Sequence, residues 1–376
     1  MSRLSTSQRE QETPRVRASA LADKLIELGV RYDAAPVFPL ESMRMLAGAG
    51  LHRDFASPQA GGTIFKDSLD RYGSLMDVLR IIGRADLSVG RLFEGHVNAL
   101  ALLEWYGSPD QISQLSHALS AGAFYGVWAT EPPPGVKLIG RTDGSMKLEG
   151  AKSFASGAGG LSHAIVTAMP RTGSRQLVIV AADDAQRANL SQWRMRGMRA
   201  SNSGIYDLTD LRVSPADLLG APGDYDLDPW FTTGAWRFAA VQLGGIEALL
   251  SETRDAMSDQ ARGDPLQRAK FADCVVAART AYLWVRECAA RAAAQDRDGP
   301  AFARLTRGVV ERAGLDVMEL ATRIIGTRSA MDGQRIDKII RDLSLYLRQA
   351  GPDYARDQAA LAWLDHDAWG SEDALW

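Results

Sequence analysis

The sequence predicts an α+β fold in consecutive parts: a helical domain over residues 15–123, a β domain over 124–220 and a C-terminal four-helix domain over 229–367. Two observations carry this. Apolar residues recur at helical spacing towards both ends of the chain, whereas between Phe124 and about Leu219 the period drops to two. Gly- and Pro-containing breaks separate the short-period runs, as strand-connecting turns require.

Residues 1–14 form a polar lead expected to be disordered. Leu21, Leu25, Ile26 and Leu28 then make one helical stripe, and Leu75, Val78, Leu79 and Ile82 make another. Ser108-Pro109-Asp110 marks a helix start, with Pro in the first turn and an acid beside it. Runs at 164–168, 176–180 and 205–208 read as strands, with Thr142-Asp143-Gly144 as a hairpin turn. After Pro229 the long apolar-periodic stretches return, among them 275–294 and 302–325. The acidic and aromatic segment from Asp365 to Trp376 reads as a loose end or a subunit contact.

Composition narrows the function classes. Of 376 residues 46% are hydrophobic and 24% charged, and the formal net charge is −3, so nothing favours nucleic acid or an anionic membrane surface. The two cysteines, Cys274 and Cys288, lie within one predicted helix and make neither a disulfide framework nor a zinc pattern, which predicts a reducing compartment and no metal. The N-terminus lacks the apolar core of a signal peptide and no run of about 18 apolar residues occurs, so a cytoplasmic protein is expected.

The chemistry-bearing residues cluster in the middle. Thr130-Glu131-Pro132, followed by Lys152-Ser153-Phe154-Ala155-Ser156-Gly157, resembles the middle domain of the acyl-CoA dehydrogenase superfamily, and Met195–Leu219 resembles its Gly-x-Arg-x-Ser stretch and exit strand. With the helix–β–helix order, the resemblance extends over nearly the whole chain. It implies a middle β-barrel or sandwich between two helical parts, and a wall against which a flavin ring lies. An isoalloxazine is flat and mostly apolar, edged with donors and acceptors, so an aromatic plane flanked by small hydroxyls suits it. By this resemblance Thr130 serves the pyrimidine side, Phe154 replaces the usual tryptophan and Ser156 replaces the threonine near N5, with Trp128 and Gly157 completing the wall. Arg262 or Arg268, with Gln267 and Gly326, stands where the family grips the adenine half, an assignment that competes with simple solvated helix ends. FAD is the expected cofactor and FMN the alternative, because only one glycine of the Gly-Gly loop remains. A homo-oligomer, tetramer or dimer, follows from the same resemblance.

The family's catalytic base is missing. Aligned from Arg341-Asp342, the glutamate position holds Ala350, and the alternative position immediately before an arginine holds Trp236. Neither can take the α-proton of a thioester. Gly135-Val136-Lys137 replaces the Gly-Ser-Asp that meets the acyl-CoA chain, and Asp353 reads as a turn or cap residue.

Three features instead resemble flavin-dependent monooxygenases built on this fold, dibenzothiophene monooxygenases among them. These are Lys152-Ser153-Phe154-x-Ser156-Gly157-Ala158, His96 within Phe93-Glu94-Gly95-His96, and Asp264-Pro265-Leu266-Gln267. The resemblance implies that His96 and Ser156 hold and protonate a flavin C4a-hydroperoxide, with Gln349 where those enzymes carry a second histidine. His96 as a satisfied core histidine stays open beside that role. A dehydrogenase with a relocated base and a catalytically silent scaffold are the competing readings.

Overall fold

The computed structural model describes residues 12–140, 145–171, 173–349 and 351–364. The lead up to residue 11, the Thr142–Gly144 turn, Ala350 and the tail from Asp365 lie outside the described residues.

Helices open the chain: α1 (Pro14–Ala34), α2 (Leu40–Gly48), α3 (Leu51–Asp54), α4 (Ser68–Ala85), α5 (Leu87–Tyr106) and α6 (Pro109–Ser120). Their starts follow from local chemistry. Thr13 caps α1 with Pro14 at the first turn, and Ser108 forms a full capping box with Gln111 at α6. Asp86 closes α4 and caps α5, its carboxylate accepting from Val89 N at 2.9 Å. The expected stripes face inwards: Leu25, Leu28, Leu75, Val78, Leu79 and Ile82 are all buried.

Ten short strands follow: β1 (Tyr125–Trp128), β2 (Lys137–Gly140), β3 (Met146–Glu149), β4 (Ala151–Ala155), β5 (His163–Ala168), β6 (Gln176–Ala181), β7 (Ala188–Asn189), β8 (Gly204–Asp207), β9 (Arg212–Val213) and β10 (Leu218–Leu219). They form three open sheets in the orders β1-β5-β6-β10, β2-β3-β9 and β4-β8-β7. The described strands do not close into a barrel, so of the two expected forms only packed open sheets are found. β1 and β5 run parallel, and β5 pairs antiparallel with β6. The near-continuous burial of β5 explains its unbroken apolar sequence.

The chain then returns to helices: α7 (Trp230–Thr233), α8 (Ala235–Ala256), α9 (Asp259–Gly263), α10 (Pro265–Ala293), α11 (Gly299–Ile325), α12 (Arg335–Tyr346) and α13 (Pro352–Leu364). Asp264 caps α10, and Asp353 lies in the first turn of α13 beside Arg356, the cap-like place its sequence suggested. α4 and α8 meet closely because Gly244 has no side chain: a Cβ there would lie 2.2 Å from the Arg80 carbonyl. No helix among the described residues is long and apolar enough to cross a membrane.

Two ion networks on α12 tie the parts together. Arg341 donates to Asp33 of α1 (2.6 Å), to Asp337 (2.7 Å) and to the Arg196 carbonyl (2.6 Å) in the segment before β8. Lys338 reaches Asp342 at 2.6 Å and Asp86 at 2.8 Å, while Asp342 also accepts from Met198 N at 2.5 Å. Burial works against the Lys338 ammonium, but the two carboxylates outweigh it and hold the group charged beyond the ordinary lysine range.

Candidate functional site

The wall grows out of β1 and β4. Lys152 is completely buried, and its ammonium binds Glu131 and, at 2.8 Å, the Thr167 hydroxyl. Ser153 N donates to the Thr130 carbonyl at 3.0 Å. These contacts fasten the Thr130-Glu131-Pro132 turn to β4. The register of β4 against β8 slips between Lys152 and Ala155, and within that bulge Phe154 takes a left-handed backbone (φ 52°). The bulge turns the ring out of the sheet, leaving Phe154 59% exposed with the Trp193 ring edge-on at 6.4 Å. Thr130 is exposed beside it.

Below Phe154 three hydroxyls form a chain with a defined direction. Ser201 Oγ donates to the Met198 carbonyl at 2.8 Å, and that uses its single proton. In the 2.8 Å Ser201–Ser203 contact Ser203 is therefore the donor, and in the 2.9 Å Ser156–Ser203 contact Ser156 is the donor. Ser156 sends its proton inwards and can only accept from outside. Gly157 follows at φ 75°, where a side chain would lie 2.7 Å from Leu161 and 3.0 Å from Leu92 of α5. An open aromatic plane, an exposed hydroxyl and a fixed acceptor together fit a flavin ring.

Trp128 plays a different part from the one expected. It is 2% exposed, packs against Tyr206 at 5.0 Å and donates Nε1 to the Ser156 carbonyl at 3.0 Å. It buttresses the wall from behind instead of facing a ligand.

His96 also departs from its expected role. Its Nδ1 accepts from Tyr125 N at 3.0 Å, so Nε2 carries the proton and donates it to the His52 carbonyl at 2.6 Å. Both nitrogens are spent inside the core. Burial pushes the imidazole down to about 3. A histidine so committed cannot serve as a proton donor near neutral pH; it splices α5 to β1 and α3. Its depressed value has a stability consequence. Unfolded chains protonate this side chain below about pH 6.5 while the native one stays neutral, so stability falls as the pH drops from there towards 3, by up to ~1.4 kcal/mol per unit. Acid unfolding curves of His96→Gln should be shallower over that window; an unchanged slope would show that other groups set it.

The remaining expected residues lie apart from the wall. Gln349 sits in the turn after α12, where its carbonyl accepts from Arg307 at 2.9 Å, and no hydrogen bond among the described residues joins it to the wall. Arg262 gives Nε to the Met257 carbonyl at 3.1 Å and Nη2 to the Arg254 carbonyl, closing the α8–α9 corner. Arg268 binds the carbonyls of Arg262 and Gly263. Gln267 keeps a buried, unpartnered Oε1, and Gly326 has φ 74° with open space around it. Both arginines donate to carbonyls at helix ends.

The structure adds a network that the sequence analysis missed. On α5, Glu94 is 2% exposed, pairs with Arg91 and accepts from Asn98, whose amide oxygen in turn accepts from Arg237 Nε on α8. Trp236, next to Arg237, is 1% exposed and lies against Tyr72 at 5.5 Å. The signal was available: Arg91, Glu94 and Asn98 recur at spacings of three and four within a largely apolar helix.

The family described as acyl-CoA dehydrogenase, C-terminal domain, matches residues 229–354. A dibenzothiophene monooxygenase from Mycolicibacterium goodii is 24% identical over 310 residues, covering 71% of this chain and 74% of its own. A probable FMNH2-dependent monooxygenase from Pseudomonas putida is 25% identical over 358 residues, 87% of this chain and 88% of its own. Among solved structures, the FMN-bound dibenzothiophene monooxygenase of Paenibacillus sp. A11-2 superposes with a TM-score of 0.85 at 21% identity, covering 94% of this chain and 98% of that one, which shows a shared fold.

Proposed function

This chain belongs to the acyl-CoA dehydrogenase superfamily, and from that premise we propose a flavin-dependent monooxygenase that uses reduced flavin and O2 on a small organic molecule. The observation that carries the reading is the state of the carboxylates. By the family resemblance Trp236 stands where an early-helix base would be, and Glu94, the buried carboxylate of the α5 network, has its oxygens engaged by Arg91 and Asn98. A proton-abstracting dehydrogenase needs a free base. The monooxygenase relatives support the same direction.

A bound reduced flavin supplies two electrons, so that one oxygen atom of O2 enters the substrate and the other leaves as water. Phe154 gives the ring its plane and Thr130 a hydroxyl at its edge. Ser156, its own proton held by Ser203, would accept a hydrogen bond from the reduced ring's N–H. Gly157 would let the backbone come close to the ring. FMN is the cofactor this reading favours, since one relative is named FMNH2-dependent and a similar solved structure holds FMN. Exposed Leu266, Val275, Val276 and Leu283 on α10 support a homo-oligomer, tetramer or dimer, and the two buried free cysteines suit the cytoplasm.

The test is to reduce the flavin-loaded protein without oxygen, admit air and follow the absorption spectrum. A transient band distinct from both oxidised and reduced flavin supports the oxygenase. Direct reoxidation, with bleaching of the oxidised form by acyl-CoA thioesters, would restore the dehydrogenase. A protein that takes up no flavin ends both readings.

A further inference from the structure

The network of α5 and α8 carries more positive charge than it neutralises. Arg91 and Arg237 are two cations and Glu94 is one carboxylate, so one positive charge is uncovered. Glu94 pairs with Arg91. Arg237 is 8% exposed, forms no ion pair among the described residues, and has only the neutral amide oxygen of Asn98 at Nε. The neighbouring Arg175–Asp226 pair, linked through Tyr225, is already balanced. Taking a guanidinium out of water without a counter-charge is costly, and folded proteins do so where an anion completes the site.

Independent features point the same way. Trp236 Nε1 and Tyr346 Oη are donors, 1% and 3% exposed, and neither has a hydrogen-bond partner. Tyr346 lies within the electrostatic reach of Arg91 and Glu94, and the Trp236 ring is 6.0 Å from Arg237 Cζ. Gly234 leaves room for the Arg237 guanidinium: a side chain there would lie 2.5 Å from Nη2. The cluster therefore presents donors in excess of acceptors. It is also close to the wall. Arg237 lies within electrostatic reach of Tyr225, the Arg175 guanidinium sits over the Tyr225 ring, and Arg175 in turn lies within reach of Glu131 in the turn after β1.

We infer that the substrate bears a compact oxyanion, a carboxylate or an oxo-sulfur acid, which docks on the Arg237 guanidinium with Asn98 and Glu94 fixing that group's orientation. This rests on the monooxygenase reading only in calling the ligand the substrate. The anion compensates the uncovered charge. Arg237 is in this sense a specificity-determining residue.

Calorimetric titration of the flavin-loaded protein with benzoate, benzenesulfinate and the neutral isostere benzamide tests it. One of the two anions is expected to bind at least about tenfold more tightly than benzamide. Arg237→Gln should erase that preference while flavin content and melting temperature stay close to those of the parent, and Arg237→Lys should keep part of it. Glu94→Gln removes the only opposing charge and should tighten anion binding severalfold, which keeps the test decisive if Arg237→Gln does not fold. Equal affinities for anion and amide, a preference that survives Arg237→Gln, no tightening in Glu94→Gln, or no binding of any probe would overturn the inference. The two proposals fail separately. Arg237-dependent anion binding without a transient on reoxidation leaves the anion site and removes the oxygenase, and the transient without anion binding does the reverse.

Discussion

Replacing Asp342 by alanine is expected to lower the unfolding free energy by ~3–5 kcal/mol, because the loss of one partner leaves buried charge and a buried donor uncompensated. Asp342 is 1% exposed and has two duties: one oxygen accepts from Met198 N at 2.5 Å and the other binds Lys338 at 2.6 Å. Without it, Lys338 keeps only Asp86, and the Met198 amide is buried with no acceptor. The damage spreads, since Asp86 caps α5, Lys338 belongs to α12 and Met198 precedes the hydroxyl chain beneath the wall. Asp342→Asn preserves an acceptor for Met198 and should lose less. Denaturant unfolding midpoints measure both variants; an unchanged midpoint in Asp342→Ala would mean that these contacts add nothing to stability.

The second large effect concerns the direction of the hydroxyl chain. In the wild-type protein Ser156 donates to Ser203 and is left an acceptor, which matches reduced flavin, whose N5 carries a proton, and mismatches the oxidised ring, whose N5 accepts. Ser203→Ala removes the inner acceptor and frees the Ser156 proton to point outwards. The ratio of oxidised to reduced FMN dissociation constants should then fall by about tenfold, the equivalent of one hydrogen bond of ~1.4 kcal/mol. Ser156→Ala should weaken reduced FMN selectively, and Ser201→Ala, which frees Ser203 to donate in either direction, should fall between. Anaerobic titrations with oxidised and photoreduced FMN give both constants. A ratio that is the same in Ser203→Ala and the parent would remove the proton direction from the account of this site.

The helix–β–helix order, the inward stripes on α1 and α4, the capping box at Ser108 and the strand runs of β5, β6 and β8 were all legible in the sequence. Each depends on residues within a few positions of one another, where hydrophobic period and side-chain-to-backbone bonds decide the local conformation. The pairing of the Thr130-Glu131-Pro132 turn with residues 152–157 was legible too, because two short segments with matched chemistry mark it.

What those residues face was decided only by the tertiary structure. His96 could have been a donor or a core residue; a carbonyl 44 positions away and an amide 29 positions away made it core. Trp128 lies behind the wall because Tyr206 and the Ser156 carbonyl receive it there, and Phe154 faces outwards because a register slip against β8 turns it over. The Ser156 proton points inwards through two serines more than 40 residues downstream. The pairing of Asn98 with Arg237 spans 139 positions, and no pattern along the chain announces it. Sequence by itself determined the elements and the chemistry available to the site, since both reside in local residue types. The direction of each hydrogen bond and the sign of the uncovered charge were left to the fold, because they depend on partners that only the packing of distant segments brings within reach.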